Sequence, residues 1–185
     1  MTASPPKPEA ATALPHFPAL YETHFDFLWL SLRRLGVLEA DLDDALQETF
    51  LVVHRRLHTF EGRSALKSWL FGIALRVARD FRRRVQRKGN LAELPEHLTA
   101  SNSDPQRAAE ARQSLQLLYE YLNFLDDEKR EVLVMVDLQE LRVTEVAEVL
   151  GVNVNTVYTR LRAARQQFEA AVQETRTHSH GGSHD

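Results

Sequence analysis

The sequence contains no cysteine and no long hydrophobic run, and each absence narrows the possible functions. Without cysteine, the chain has no disulfide framework, no thiolate metal site and no cysteine nucleophile. No apolar segment approaches the roughly 18 residues needed to span a bilayer, and the start, MTASPPKPEA, lacks the hydrophobic region of a signal peptide. We therefore expect a cytoplasmic protein that does not insert into a membrane.

Charge is weak overall but strongly segregated along the chain. The net charge of −3 at pH 7 does not by itself indicate a polyanionic partner. However, residues 21–54 carry mainly acidic side chains, whereas residues 55–88 carry mainly basic ones. Such segregation predicts one surface for a basic partner and a second surface for a polyanion. A solvated surface with accidental blocks of charge is the alternative.

The hydrophobic pattern predicts an all-α fold of two small helical domains joined by a flexible linker. Apolar residues recur at intervals of three and four, as on the buried face of a helix, and no stretch alternates as a strand does. The expected helices are 20–35, 42–57, 65–87, 105–124, 127–138, 145–150 and 154–174. The expected units are a disordered proline-rich extension (1–18), a first domain (19–88), a linker (89–104), a second domain (105–174) and a flexible histidine-containing tail (175–185).

Residues 142–168 have the pattern of a helix-turn-helix that reads DNA. We expect Thr144 to cap a short helix, Gly151 to end it in the left-handed conformation, and Asn153 to cap a second helix. One face of that second helix is apolar. The opposite face carries amides, hydroxyls and guanidiniums, which bind base edges and phosphates in a major groove. A helical hairpin with a solvated polar face is the alternative.

Basic side chains crowd the end of the helix expected at 65–87, in greater number than is needed to offset the helix dipole. The release of counterions from nucleic-acid phosphates is the natural use of such a cluster. Upstream, Trp69 and Lys67 follow a loop at 58–63, so that an unpaired base could stack on the indole ring beside a cation. For Trp69 taken alone, burial in the core is the preferred interpretation.

The acidic helix expected at 42–57 does not suit DNA. Asp43, Asp44 and Glu48 could in principle supply a catalytic carboxylate pair, but no metal ligand or nucleophile accompanies them. We therefore interpret this helix as a protein-docking face, and we expect no catalytic residue, no metal site and no cofactor. The histidines of the 175–185 tail have no preset geometry for a metal ion, and a tag-like extension is the preferred interpretation.

The N-terminal half contains, in this order, the segments DDALQETF (43–50), FEG (60–62) and LKSWLFGIA (66–74). With these segments it closely resembles region two of the bacterial RNA polymerase sigma factors of the extracytoplasmic function (ECF) group. Two positions depart from the usual pattern of the family, because Ala45 replaces a leucine and His54 replaces a tryptophan.

The C-terminal half is similar to region four of the same group. The segments EVAEVLG (145–151) and NTVYTRL (155–161) carry this resemblance, and Asn155 stands where the family usually has glycine. Two ordered motifs at the spacing of the family make the resemblance specific, and it covers residues 17–168.

The resemblance implies roles for individual residues. Region two docks on the clamp helices of the polymerase, which implies core-binding positions at Asp43, Asp44, Gln47, Glu48 and Phe50. In the family, the loop and helix that correspond to residues 58–82 separate the strands of the minus-ten element and read its bases. The resemblance therefore implies minus-ten contacts for His58, Phe60, Arg63, Ser64, Lys67, Ser68, Trp69, Arg76, Arg79 and Arg82. Region four reads the minus-thirty-five element, which implies Asn155, Thr156, Tyr158, Thr159, Arg160, Arg162 and Arg165.

We therefore expect an alternative sigma factor that brings core RNA polymerase to specific promoters and helps to open them, and that is not itself an enzyme. Core polymerase and promoter DNA are the expected partners, and the resemblance adds an anti-sigma factor as a candidate. Fully extended, the linker 89–104 spans at most roughly 53–58 Å, which is the length of about sixteen or seventeen base pairs. Two domains that read separate promoter elements need a reach of that order. The alternatives are a stand-alone helix-turn-helix regulator, which predicts a dimerisation element and palindromic half-sites, and a helical adaptor that binds only protein.

Overall fold

The computed structural model describes residues 16–62, 65–88 and 105–180, and within these ranges it contains helices and turns without any strand. The expected linker, Arg63, Ser64 and most of the expected N-terminal extension lie outside the described residues. The side chains of the expected tail also lie outside them. None of the helices in the described ranges combines the length and the apolar character that a bilayer crossing requires.

Three helices form the N-terminal domain: α1 (Phe17–Arg34), α2 (Leu42–Arg56) and α3 (Leu66–Lys88). α1 stops just before Gly36, which takes a left-handed φ of 85° and turns the chain towards α2. The apolar faces of the three helices meet in a buried core. Its fully buried side chains include Leu28, Leu32, Leu42, Val53, Leu70 and Phe71.

Four helices form the C-terminal domain: α4 (Pro105–Phe124), α5 (Asp127–Leu133), α6 (Val143–Leu150) and α7 (Val154–His180). The Asp126 side chain caps α5 by accepting the backbone N–H of Lys129 at 3.0 Å. α5 continues directly into a π-helical turn, Val134–Leu138. The single helix expected at 127–138 therefore consists of α5 and this turn.

The start of α6 corrects one sequence-based expectation. Thr144 does not cap this helix, because the N-cap residue is Arg142. The backbone N–H of Arg142 donates to the Glu145 carboxylate at 3.0 Å, as the third residue of a capping box does. The acid that follows three residues later, rather than the hydroxyl, therefore sets the helix start.

Two helices are longer than the sequence pattern indicated. α1 begins at Phe17, so the last residues of the extension expected at 1–18 are helical. α7 runs to His180, so the first part of the tail expected to be flexible is helical as well. No glycine or proline interrupts the chain between the expected end of α7 and Gly181, and α7 simply continues through this stretch.

The two domains pack against each other, which the sequence did not indicate. α3 lies against α6, and α1 lies against α4. Gly72 of α3 faces Val149 of α6, where an added Cβ would lie 3.7 Å from a valine methyl carbon. Apolar residues of both domains join one continuous core. One face of α3 is therefore covered by the C-terminal domain.

Candidate nucleic-acid and protein-binding surfaces

The second helix of the helix-turn-helix presents a polar face to solvent. Gly151 adopts the left-handed conformation between α6 and α7, and Asn153 caps α7 by accepting the Thr156 N–H at 2.7 Å, both as expected. Val157 and Leu161 are buried beneath the helix, and Thr156 is half-buried. The exposed outer face carries Asn155, Tyr158, Thr159, Arg162 and Arg165.

The three arginines expected to meet DNA on α7 differ in their partners. An Arg160 Nη lies 2.7 Å from Glu128 Oε1. Arg165 donates two hydrogen bonds to the Asp137 carboxylate, at 2.6 and 2.9 Å. Arg162 is exposed and forms no ion pair with any residue that the structure describes. Of these three, Arg162 can meet a nucleic acid without first giving up a carboxylate.

Aromatic rings and a cation gather at the start of α3. The Phe60 ring packs on the Trp69 ring with centroids 5.3 Å apart, and Trp69 is half-buried. The Lys67 ammonium lies over the Phe27 ring, 5.4 Å from its centroid, and His58 is exposed nearby in sequence. Half-burial of Trp69 is compatible with both interpretations, a stacking surface for a base and a residue of the core.

A cavity of about 240 Å³ lies between α3 and α6. Arg56 and Arg76 line it from the N-terminal domain, and Glu145 and Glu148 line it from the C-terminal domain. Ser68, another expected minus-ten residue, also lines this cavity and is only 1% exposed. Ser68 and Arg76 thus share this cavity with two carboxylates of α6, whereas His58 and Lys67 are exposed to solvent.

Two further arginines expected to bind DNA are paired with acids of the other domain. Arg79 donates two hydrogen bonds to the Glu131 carboxylate, at 2.7 and 2.5 Å, and this pairing is the main reason that the pKa of Arg79 rises above its ordinary value. Arg82 donates to the Leu35 carbonyl, and it lies 3.2 Å from Glu131 and 3.1 Å from Asp127. We call the four charged residues, Arg79, Arg82, Asp127 and Glu131, the Glu131 clasp.

Two members of the clasp are buried, since Glu131 is 2% exposed and Arg82 is 7% exposed, whereas the side chains of Arg79 and Asp127 are 41% and 52% exposed. Beside them, Arg130 is buried and donates to the carbonyls of Leu122 and Leu125 at 2.8 and 3.1 Å. Burial is the main reason that the pKa of Arg130 falls below its ordinary value, followed by the charge of Arg82.

An apolar groove of about 620 Å³ runs between α1 and α2. The Phe50 ring lies at its floor, 4.4 Å from the Tyr21 ring, and Leu51 is 54% exposed along its side. Asp43 and Gln47, both expected to contact polymerase, also line the groove. Its remaining lining residues are Phe17, Phe25, Leu46 and His54.

The remaining acids expected at the docking face lie beside this groove. Asp44 is exposed, and Glu48 lies 3.6 Å from an Arg84 Nη. Sequence reasoning missed the aromatic half of the groove, because periodicity assigns Tyr21 and Phe25 to the buried stripe of α1. Tyr21 is instead 41% exposed. Aromatic rings spaced four apart beside an acidic helix were the available signal.

These features define a class of protein: a two-domain, all-α DNA-binding protein that carries a helix-turn-helix and a separate apolar docking groove. Residues 20–88 match the family description Sigma-70 region 2, and residues 115–168 match Sigma-70, region 4. The chain therefore belongs to the bacterial RNA polymerase sigma factors, in the ECF group.

Two relatives illustrate the match. The chain is 31% identical to the RNA polymerase sigma factor NccH of Alcaligenes xylosoxydans xylosoxydans over 163 residues, 86% of this chain and 88% of the relative. It is 32% identical to the sigma factor CnrH of Cupriavidus metallidurans over 162 residues, 83% of this chain and 85% of the relative. As a sigma factor it acts in transcription initiation, and it binds core RNA polymerase and promoter DNA.

Two solved structures share the fold. CnrH in complex with the cytosolic domain of CnrY is similar at a TM-score of 0.65 and 28% identity, over 85% of this chain and 88% of that one. The sigma factor RpoE of Bartonella quintana, in complex with the anti-sigma factor NepR, is similar at a TM-score of 0.69 and 21% identity. That match covers 85% of this chain and 96% of RpoE.

Proposed function

We propose that three surfaces of the chain act in promoter recognition: the groove between α1 and α2, the turn at 57–60 with the start of α3, and the polar face of α7. Residues 19–88 act as region two, 105–174 as region four, and 89–104 as the linker between them. The observation that carries this proposal is that an apolar groove with acidic residues lies apart from the polar α7 face, where Arg162 forms no ion pair with the part of the chain that the structure describes. Polymerase performs the chemistry in the cytoplasm, and the chain contributes binding and positioning without being an enzyme.

The groove is proposed to bind core polymerase. Leu51 and Tyr21, which are exposed in the groove, supply apolar area that is removed from water on docking, and the buried Phe50 ring supports them from below. Removal of apolar area from water is the main driving force of such contacts. Asp43 and Gln47 line the same groove, and together with Asp44 and Glu48 of the same helix they favour a basic partner surface and set its register. Apolar area provides affinity here, and the acidic rim provides orientation.

The turn at 57–60 and the start of α3 are proposed to hold bases of the minus-ten element. A base taken out of the duplex needs an aromatic face to stack on and cations for its phosphates. Phe60 and Trp69 offer the aromatic faces, and Lys67 and Arg76 are exposed cations on the same helix. His58 and Ser68 belong to the same proposed site, as do Arg79 and Arg82.

α7 is proposed to read the minus-thirty-five element from the major groove. The side chains of Asn155, Tyr158 and Thr159 are exposed at the start of the helix, where recognition helices approach base edges. The guanidinium of Arg162 can donate the two hydrogen bonds of a bidentate contact with guanine. Thr156, Arg160 and Arg165 complete the proposed site and suit phosphate contacts.

An anti-sigma factor is proposed as a further partner. The support comes from the structure of CnrH, which contains the cytosolic domain of CnrY and covers most of the length of this chain. The RpoE structure likewise contains the anti-sigma factor NepR. A protein of this kind would restrain the chain by covering a surface that polymerase also needs.

A matched pair of leucine substitutions tests the docking groove. Leu51→Asp places a charge in the groove, whereas Leu115→Asp places the same charge on α4 at another exposed leucine. We expect Leu51→Asp to weaken binding to core polymerase at least about tenfold, since one buried leucine carries about 1.5–3 kcal/mol. Leu115→Asp should bind as the unchanged chain does.

The measurement is competition for core polymerase with a labelled sigma factor, followed by sequencing of the transcripts that core polymerase and this chain make from genomic DNA. Circular dichroism shows whether both variants are folded. Equal affinity of Leu51→Asp and the unchanged chain would remove the groove from the docking surface. The absence of any transcript that depends on this chain would contradict the proposed function as a whole.

A further inference from the structure

Four exposed side chains of α7 form a line on the side that points away from the rest of the domain. Successive residues of an α-helix lie about 100° apart around its axis. Val157 and Leu161 mark the inward side of α7, because both are buried. The residues on the opposite side are exposed and lie within about 60° of one another. We call these four residues the outer line: Asn155, Thr159, Arg162 and Gln166.

The cations beside the outer line are held by acids, whereas the outer line itself is not. Arg165 lies on one flank and donates two hydrogen bonds to the Asp137 carboxylate, at 2.6 and 2.9 Å. Arg160 lies on the other flank, 2.7 Å from Glu128 Oε1. The two amides and the guanidinium of the outer line form no hydrogen bond or ion pair with any residue that the structure describes. Unpaired groups in the middle are free to bond base edges, while the oriented cations on the flanks suit phosphates.

Hydrogen bonds within α7 decide what its threonines can offer to DNA. The Thr159 hydroxyl donates to the Asn155 carbonyl at 2.9 Å, and the Thr156 hydroxyl donates to Asn153 Oδ1 at 3.0 Å. A hydroxyl has only one proton to donate, so each of these threonines presents a methyl group and lone pairs. The free donors of the outer line are therefore its two amides and its guanidinium, the groups that pair with adenine and with guanine in the major groove.

The outer line has a length that suits a base-reading segment. At about 1.5 Å per residue, Asn155 and Gln166 are about 16.5 Å apart along the helix axis. This distance corresponds to about five base-pair steps of roughly 3.4 Å, or about half a turn of B-DNA. Gln166 lies about 6 Å beyond Arg162 along the axis, which places it one or two base pairs further along the groove.

We infer that Gln166 is a further base-reading residue of α7 and that it recognises adenine. Its exposed amide has a free donor for adenine N7 and a free acceptor for the N6 amino group. It lies one turn beyond Arg162 on the outer line, and not on a flank. This inference rests on the proposed function of α7, and it adds to that site a residue that the family resemblance leaves unassigned.

Gln167 is a matched control for Gln166. Both are exposed glutamines of the same helix, but Gln167 lies about 100° further around the axis, on the flank that carries Arg160. Alanine at either position leaves the net charge unchanged and is a strong helix former. A difference between Gln166→Ala and Gln167→Ala therefore reports the direction of the side chain and not the stability of the helix.

The full chain in complex with core polymerase is used to select duplexes from a DNA library of randomised sequence. We expect the unchanged chain to enrich adenine at one upstream position. Gln166→Ala should reduce this preference at least about fivefold, the lower end of what a bidentate base contact contributes, whereas Gln167→Ala should retain it. The affected position should lie one or two base pairs from the position that Arg162→Ala relaxes.

A charged substitution tests the chemistry of the contact. In Gln166→Glu the carboxylate accepts a hydrogen bond from cytosine N4 but has no donor for adenine N7. We therefore expect the enriched base at this position to change from adenine to cytosine. Gln167→Glu adds the same negative charge on the flank, and it should weaken binding to all sequences alike.

Equal preferences of Gln166→Ala and the unchanged chain would overturn the inference, as would an equal loss in Gln167→Ala. Enrichment of a base other than adenine at the affected position would also overturn it. In each of these cases, a preference that still responds to Arg162→Ala would leave the proposed function of α7 intact. An unchanged chain that enriched no upstream sequence would contradict the proposed function itself, and the inference with it.

Discussion

Arginine serves two opposite purposes in this chain, depending on whether a carboxylate lies within reach. Arg162 is exposed with no ion pair among the described residues, whereas Arg82 is buried and anchored to a backbone carbonyl and two acids. An unpaired guanidinium is available at once for a base or a phosphate, whereas a buried and paired one must first give up its carboxylates. The partner, rather than the residue type, therefore decides the role of each arginine.

Two arginines of α7 should differ in what they read. Arg162 and Arg160 lie about 200° apart around the helix, and only Arg160 is held by an acid, Glu128. We expect Arg162→Ala to relax preference at one or two upstream promoter positions, a loss of roughly 1–3 kcal/mol of discrimination. Arg160→Ala should weaken all sites alike and lower the salt slope by about one unit.

Binding selections on randomised upstream DNA, run for both α7 variants at low and high salt, measure these two effects. Asn153→Asp retains an N-cap at the start of α7 and serves as a control for helix integrity. If neither arginine substitution changed affinity or preference, α7 would not be the helix that reads DNA.

Two left-handed glycines should respond differently to alanine. Both Gly36 and Gly151 have positive φ, which costs an alanine roughly 1–2 kcal/mol. A Cβ at Gly36 would also overlap the guanidinium of Arg130, whereas a Cβ at Gly151 meets nothing within 4 Å. Gly36→Ala should therefore lower the free energy of unfolding by more than Gly151→Ala does.

Urea unfolding followed by circular dichroism gives the free energy of unfolding for both glycine variants. Equal losses would mean that Arg130 moves aside at no cost. A smaller loss at Gly36 than at Gly151 would show that the contact between Gly36 and Arg130 is not formed in solution.

At the scale of the secondary-structure element, α6 is short and depends on its first turn. Glu145 accepts hydrogen bonds from the backbone N–H and from the guanidinium of Arg142, each at 3.0 Å. The guanidinium bond is the largest cause of the lowered pKa of Glu145. α6 also supplies Val149 to the contact with α3, so the charge of one carboxylate supports both the helix and the domain contact.

The lowered pKa of Glu145 predicts a dependence of stability on pH. Because folding favours the ionised carboxylate, its contribution is complete above the ordinary value of 4.5 and is lost as the pH falls through the lower pKa of the folded state. Glu145→Gln should therefore be less stable than the unchanged chain at neutral pH, with a difference that shrinks below pH 4.5. Urea unfolding at neutral and acidic pH measures this. A difference that stayed constant with pH would show that the Glu145 charge does not contribute.

At the scale of the whole molecule, the two domains share a core and a buried cluster of charge. Arg82 contacts the backbone at the end of α1 and the acids of α5 at once. Val149 packs on Gly72 across the same interface. Separation of the domains exposes these groups together, so the interface opens as a unit.

The shared core predicts cooperative unfolding. Differential scanning calorimetry of the full chain should show one transition whose calorimetric and van't Hoff enthalpies agree. Glu131→Gln removes the carboxylate that pairs with both Arg79 and Arg82. The variant should therefore show two transitions, the first of them at a lower temperature than the single transition of the unchanged chain. Two resolved transitions in the unchanged chain would show that the domains unfold independently.

The helices and the family could be predicted from the sequence, whereas the contacts that each side chain makes could not. The start of α4 at Pro105 and the turn at Gly151 follow from local rules on proline and glycine. The cap at Arg142 was missed because a hydroxyl at Thr144 is by local preference the better cap. The groove was missed because period alone does not distinguish a buried ring from one that lines an open surface, as Tyr21 does.

Local sequence patterns are enough to predict the all-α class, the order of the helices and the helix-turn-helix, because helix periodicity and capping depend on residues only three or four positions apart. The arginines that lack a carboxylate partner become apparent only in the packed helices. Arg79 and Glu131 lie 52 positions apart, and Arg160 and Glu128 are joined only when α7 folds back on α5. Ion pairs at such separations follow from the packing of helices, and no local pattern records them. The availability of each arginine to DNA is therefore a property of the assembled molecule.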